Sequence, residues 1–324
     1  MLGIKDLKEV IRITKSTIEC PVKGCAQSVS RQRKSFRREE QFQCPEHQIY
    51  ISPTTFEYPS ESGNLLWNDP EDKALLSDIK KVKRESRMSR DNSEDAVSWN
   101  IFRYLEKCNL VSKWLSEISG MYQEPEDVIY WSYSQEEKQS WSLLNKARSE
   151  FGEMPKRSSE PDIIIKTKSS IFFIEAKLTA TNRTSGEKQT LEKRVSNPKK
   201  YLEGGGNWFA KVFSSDYDKI IYDQKYELMR FWLLGTWIAQ QSRNDFYLIN
   251  LVLENRELNI HDSFLRHIHS NNKYRFFRVS WEDVYRFVSR NSTDNALKTQ
   301  VLSYFENKTI GYHYYGSLQK AFSI

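Results

Sequence analysis

The clearest pattern of apolar and polar positions lies over residues 161–177. Residues 163–166 and 171–177 are rich in β-branched and aromatic side chains. Thr167, Lys168, Ser169 and Ser170 separate the two runs with turn-forming residues, so the pattern predicts a hairpin. Upstream, Val97, Ile101, Tyr104 and Leu105 recur at helical spacing and predict a helix that opens near Glu94. A strand is expected over 128–133 and a helical insertion over 141–151. Tyr226, Met229, Leu233, Trp237 and Gln240 mark a strongly apolar helix within 222–241. Strands over 246–253 and 274–279 and a helix from 281 follow. Residues 183–209 are polar, interrupted by Pro198 and Gly204 to Gly206, and read as a loop or short helices. The order is helix, strand, two hairpin strands, helix, strand, which predicts a mixed α/β fold.

Alternation along a strand puts Glu175 and Lys177 on one face and Ala176 on the other. Asp162 opens the partner strand, where a hairpin can carry it alongside Glu175. Two carboxylates and an ammonium then converge on an otherwise apolar sheet, and carboxylates beside retained water suit Mg²⁺. Pro161, Asp162, Glu175 and Lys177 fill the four signature positions of the PD-(D/E)XK nuclease superfamily, which this stretch resembles. The resemblance implies an α/β (α+β), restriction endonuclease-like αβββαβ core and metal-dependent hydrolysis of phosphodiesters. Asp162 and Glu175, with the backbone carbonyl of Ala176, would hold Mg²⁺ or Mn²⁺, and Lys177 would orient the attacking water. Products with a 5′-phosphate and a 3′-hydroxyl are implied. The fold also usually takes an acid from the preceding helix. Glu94 falls one turn before Val97 on the apolar face and is the candidate, with Asp95 rotated toward the flank. The alternative is that both acids only favour the helix dipole after an Asn92 or Ser93 cap.

The amino-terminal region carries a second constellation. Cys20 and Cys25, then Cys44 and His47, give C-x₄-C and C-x₂-H pairs that can aim three thiolates and an imidazole at one tetrahedral Zn²⁺. Gly24 and Pro45 suit the turns. A closed four-ligand site is structural. Between the pairs, Arg31, Arg33, Lys34, Arg37 and Arg38 precede the first acid, Glu39, and suit contacts with DNA phosphates. The Cys44-Pro45-Glu46-His47 knuckle, the Ser93-Glu94-Asp95-Ala96 helix start and the hairpin occur in this order. Together they resemble a group of bacterial restriction endonucleases with an amino-terminal zinc ribbon.

At 324 residues the chain allows a small zinc-ribbon domain over 1–58, a basic linker over 59–92 and a nuclease domain over 93–324. The net charge is only +6, so the argument for a polyanion rests on clustering. Lys80, Lys81, Lys83, Arg84, Arg87 and Arg90 form a second basic run. Arg183, Lys188, Lys193, Arg194, Lys199 and Lys200 form a third. No signal peptide or membrane span is apparent and cysteines in zinc spacing favour a reducing compartment, so the expected location is cytoplasmic, without a membrane partner. His261, His267 and His269 lack ligand-spaced companions and read as a surface helix. Arg230 reads either as a phosphate contact or as a snorkelling structural arginine. Two functions follow: a DNA endonuclease of restriction or phage defence, homodimeric if it cuts both strands, or a non-cleaving nucleic-acid-binding or assembly module that keeps the fold.

Overall fold

The computed structural model describes residues 1–33, 36–83, 86–153, 158–183, 199–291, 293 and 295–324. Lys34, Arg84, Lys188, Lys193 and Arg194 of the basic runs lie outside the described residues. The chain divides into two compact units. Met1–Lys73, Ser86–Asn109 and Trp281–Ile324 form the first, and Ala74–Glu85 and Leu110–Ser280 the second. The borders expected at 58 and 92 do not coincide with these limits. The segment between them contains helix α1 (Pro70–Val82).

The second unit is built on a mixed seven-stranded sheet. Its strands are β5 (Pro125–Tyr130), β6 (Tyr133–Ser134), β7 (Gln139–Ser140), β8 (Ile163–Thr167), β9 (Ser170–Ala176), β10 (Asp245–Val252) and β11 (Tyr274–Ser280), in the spatial order β11-β10-β9-β8-β5-β6-β7. β8 and β9 pair antiparallel, with Ile163 opposite Ile174 and Lys166 opposite Ile171, which is the expected hairpin. β10 runs parallel to both β9 and β11. A parallel pair needs a long crossover. Here it carries α5 (Lys199–Val212), α6 (Tyr217–Tyr222) and α7 (Tyr226–Ser242). The helical turns of α5 are broken at Gly204–Asn207, where Gly205 and Gly206 take positive φ. Helices α3 (Val111–Ser119), α4 (Ser142–Glu150) and α8 (Ile260–Leu265) complete the unit.

Every residue of β9 is buried. The alternating residues Ile171 and Phe173, with Ile164 on β8 and Phe246 and Leu248 on β10, join Trp232, Leu233 and Trp237 of α7 in one large core. Phe172 faces the other way and stacks on Tyr247 at 4.5 Å between ring centroids. With both faces covered, β9 reads as a continuous apolar run. A polar side chain at its end therefore needs a specific reason.

Two of the expected elements are shorter or differently placed. The strand expected over 128–133 stops at Tyr130, because Trp131 and Ser132 both take positive φ and turn the chain back into β6. His267 is fully buried rather than on a surface helix, with Nδ1 3.0 Å from Ser215 Oγ and Nε2 3.1 Å from Asp223.

The first unit holds two small antiparallel ribbons, β1 (Thr17–Glu19) with β2 (Ser28–Ser30) and β3 (Tyr50–Ile51) with β4 (Phe56–Glu57). Helices α2 (Glu94–Lys107), α9 (Trp281–Asn291) and α10 (Asn295–Asn307) follow, and the chain ends in a hairpin of β12 (Thr309–Tyr312) and β13 (Leu318–Lys320). That last hairpin completes the amino-terminal core. Tyr312 packs with Leu7, Ile18, Cys20, Ile49 and Phe56, and its hydroxyl donates to Lys8 O at 2.9 Å. Lys308, at the hairpin's start, is buried and donates to Asp91 and Asn64 at 3.1 Å each.

Candidate active site and metal centre

Asp162 lies one residue before β8, and the turn before β6 fixes its side chain. Trp131 Nε1 donates to Asp162 Oδ1 at 3.2 Å, and the Trp131 N–H donates to the Asp162 carbonyl at 3.0 Å. Asp162 Oδ2 accepts the backbone N–H of Ala176 at 2.8 Å, which ties it to the end of β9. Positive φ at Trp131 and Ser132 is the backbone pattern of two-residue hairpin turns, and for a side chain as large as Trp131 it is an uncommon conformation.

Glu175 continues the inward row of Ile171 and Phe173 and is 3% exposed. Its Oε1 accepts from Lys177 Nζ. Its Oε2 is buried and has no hydrogen-bond partner. Lys177 Nζ also lies 3.1 Å from Glu227 Oε2, in the first turn of α7. Three carboxylates thus stand around one ammonium. Burial pushes the Glu175 carboxyl well above the ordinary carboxylate range, with Lys177 opposing and Asp162 and Glu227 adding to the shift. Burial acts to lower the Lys177 ammonium, but Glu175, Glu227 and Asp162 outweigh it and hold it well above the usual lysine range. Around the single Lys177 ammonium the carboxyl groups outnumber the cation. An orphaned buried carboxylate oxygen is the atom a further cation would take. The residues present therefore fit a divalent metal.

Glu227 and Asn250 were not foreseen. A helix joining two parallel strands starts where the first strand ends, so the first turn of α7 meets the carboxyl end of β9, and an acid there was the available signal. Asn250 sits level with Glu175 in the parallel pairing and is fully buried. It accepts from Asn182 Nδ2 at 2.7 Å and donates to Glu257 at 3.3 Å. Its signal was a polar residue inside the apolar run of β10. Glu94 is half-buried in the first turn of α2, and Ser93 caps that helix by accepting from the Ala96 N–H at 3.2 Å. Arg230 does not reach outward. It is half-buried and pairs with the buried Glu153, with Nε 3.0 Å from Oε1.

The amino-terminal cluster has the dimensions of a zinc site. The ligand atoms of Cys20, Cys25, Cys44 and His47 all lie within 4.8 Å of one another. Cys25 and Cys44 Sγ are 3.8 Å apart, and His47 Nδ1 is 3.8 Å from Cys20 Sγ and 3.6 Å from Cys44 Sγ. Zinc–ligand bonds of about 2.3 Å to sulfur and 2.0 Å to nitrogen give tetrahedral edges of roughly 3.8 and 3.5 Å. In the first knuckle the Cys25 N–H donates to Val22 O, and Gly24 supplies the φ of 78° the turn requires. Burial pushes the Cys20 and Cys25 thiols up, so thiolates there call for a bound cation. The cluster fits structural Zn²⁺.

A family model described as Restriction Endonuclease associating with ARP matches residues 31–308. The chain belongs to this restriction-endonuclease family. No curated protein and no solved structure matches it. The match spans the second zinc knuckle, α2 and the β8–β9 hairpin, and begins after Cys20 and Cys25. No helix among the described residues of this endonuclease-family chain is long and apolar enough to cross a membrane.

Of the basic loop between the two knuckles, Arg38 is paired with buried Glu57 and donates to Ser89 Oγ at 2.6 Å. Arg37 reaches Glu39 at 3.3 Å. Arg31 and Arg33 instead donate to the carbonyls of Thr14 and Lys15.

Proposed function

We propose that this chain is a Mg²⁺-dependent DNA endonuclease in which Asp162 and Glu175 hold the metal, with the Ala176 carbonyl as a further ligand. The observation that carries the reading is Glu175 Oε2, a buried carboxylate oxygen without a partner beside Asp162 and Glu227. When bound, the metal would lower the pKa of a ligated water and offset charge on the phosphate. The chain's own residues would do the rest. The Trp131 indole and the Ala176 N–H hold the Asp162 carboxylate in one orientation. Lys177, steadied between Glu175 and Glu227, presents a fixed ammonium to the attacking water and to the charge developing on the phosphate. Asn250, level with Glu175 in the sheet, is held by Asn182 and Glu257.

Products would carry a 5′-phosphate and a 3′-hydroxyl. Cleavage of both strands would call for a homodimer. The zinc module, an expected domain over 1–58, would add contacts to DNA phosphates through Arg31, Arg33, Lys34, Arg37 and Arg38. Membership of a restriction-endonuclease family supports a defence role against foreign DNA. The test is incubation of the purified protein with plasmid, single-stranded DNA and RNA, with and without Mg²⁺ or Mn²⁺. DNA should be cut only with metal, and Glu175→Gln should abolish the cut. Equal cleavage by wild type and Glu175→Gln would refute the assignment.

A further inference from the structure

The first unit carries a cavity of about 480 Å³ lined by Lys15, Arg31, Gln32, Arg33, Pro53 and Tyr314. Three of its six walls are cations. Among the described residues none of Lys15, Arg31 and Arg33 pairs with a carboxylate, although neighbouring cations do: Lys8 with Glu19, Arg37 with Glu39 and Arg38 with Glu57. The two guanidiniums are nevertheless held. Arg31 Nη1 donates to Thr14 O at 2.8 Å and Arg33 Nη2 to Lys15 O at 3.0 Å, while Arg31 Nε is buried without a partner. Between them, Gln32 is 6% exposed and braces the loop by donating to Ile51 O at 3.0 Å. Positioned, uncompensated cations around a concavity favour an anion.

The remaining wall is aromatic. Tyr314 is 64% exposed and Tyr315 81%, so neither ring serves the core. Tyr315 lies over His313 at 5.3 Å and meets Tyr314 edge-on at 5.4 Å. Their turn is pinned in place. Gly316 takes a φ of 91°, and a Cβ there would meet Ile11 O at 2.1 Å. A Cβ on Gly311 would meet Thr54 O at 1.9 Å. Both close approaches need glycine, and they fix the turn beside residue 53 and residues 9–11.

We propose that this cavity takes one unstacked nucleotide of DNA, its phosphate against Lys15, Arg31 and Arg33 and its base against the Tyr314 ring. The proposal rests on the reading of the basic loop as a DNA contact, and it adds a preference for single-stranded or extrahelical bases. Duplex phosphates alone would account for the cations but leave the exposed tyrosine without a role. Stacking needs a base whose face is free.

The test is fluorescence anisotropy of the intact, zinc-loaded protein without added Mg²⁺, on a single strand, its duplex, the duplex with a one-nucleotide bulge, and RNA of the same sequence. The single strand and the bulged duplex should bind more tightly than the duplex. Tyr314→Ala should weaken both by roughly 5- to 150-fold, the range for losing one base–aromatic stack, and leave duplex binding nearly unchanged. Tyr314→Phe should keep the preference, and zinc content should be normal in both variants. Arg31→Gln with Arg33→Gln should weaken every DNA and reduce the salt dependence. If that double variant changes nothing, the DNA reading of the loop fails. If it acts as expected while Tyr314→Ala leaves single-strand binding intact, or weakens all DNAs alike, the nucleotide cavity alone is refuted. Tighter binding of RNA than of single-stranded DNA would also overturn the proposal.

Discussion

Arg230→Ala removes the half-buried partner of Glu153, whose side chain is fully buried. Three other donors remain on Glu153: the Ser159 N–H at 2.5 Å, the Ser159 hydroxyl at 2.7 Å and the Tyr201 hydroxyl at 3.2 Å. Orphaning one partner of a buried pair costs about 3–5 kcal/mol, and the surviving donors place this site near 3 kcal/mol. For a unit of this size that lowers Tm by roughly 6–12 °C. The pH dependence identifies the cause. In the wild type, burial opposes ionisation of Glu153, but Arg230 and Ser159 outweigh it and hold the carboxyl below the ordinary range. A lowered carboxyl contributes stability above its unfolded pKa and loses it as pH falls through the folded value. Without Arg230, burial prevails and the carboxyl moves up, so the variant recovers by protonation as pH falls. Thermal or urea unfolding at about pH 7.5 and pH 5 should therefore show the gap to wild type narrowing at the lower pH. Ser159 also accepts from Arg148 Nε at 2.8 Å, three residues before Asp162. Loosening this segment should cost cleavage on the order of tenfold to a hundredfold even where the variant is folded. A gap below about 1 kcal/mol at pH 7.5, or one equally large at both pH values, would refute the reasoning.

Asp162→Ala and Lys177→Ala should each abolish metal-dependent cleavage with little loss of DNA binding, and a double variant should be hardly worse, because the residues act as one unit; gel assays of cutting and binding separate the two. Because burial holds the Glu175 carboxyl up, protons compete with the metal, so Mg²⁺ affinity measured by calorimetry should rise with pH and should rise less steeply in Glu175→Gln. The purified protein should contain about one Zn²⁺ per chain by elemental analysis, and Cys20→Ser with Cys25→Ser should remove it and make residues 15–58 protease-sensitive.

What the chain reveals on inspection is local. The hairpin of β8 and β9 follows from strand-forming runs on either side of turn-forming residues, and alternation alone puts Glu175 and Lys177 on one face. The two knuckles bring Cys20 with Cys25 and Cys44 with His47 at short spacing, and the spacing of tetrahedral ligands can be read before any fold is known. The helix capped at Ser93 and the apolar helix around Trp232 are legible from periodicity. Tertiary packing decided the rest, because sequence separation hides contacts that only a closed core can make. Glu227 meets Lys177 because the crossover helix starts where β9 ends. Asn250 joins Glu175 through the parallel register of strands far apart in the chain. Arg230 could be a phosphate contact or a structural cation by composition alone, and the buried Glu153 settles its role as structural. The carboxyl-terminal hairpin enters the zinc core through Tyr312 and carries Tyr314 to the arginines of the basic loop. No local pattern could announce that, because a small zinc module buries enough apolar surface only when the far end of the chain returns to cover it.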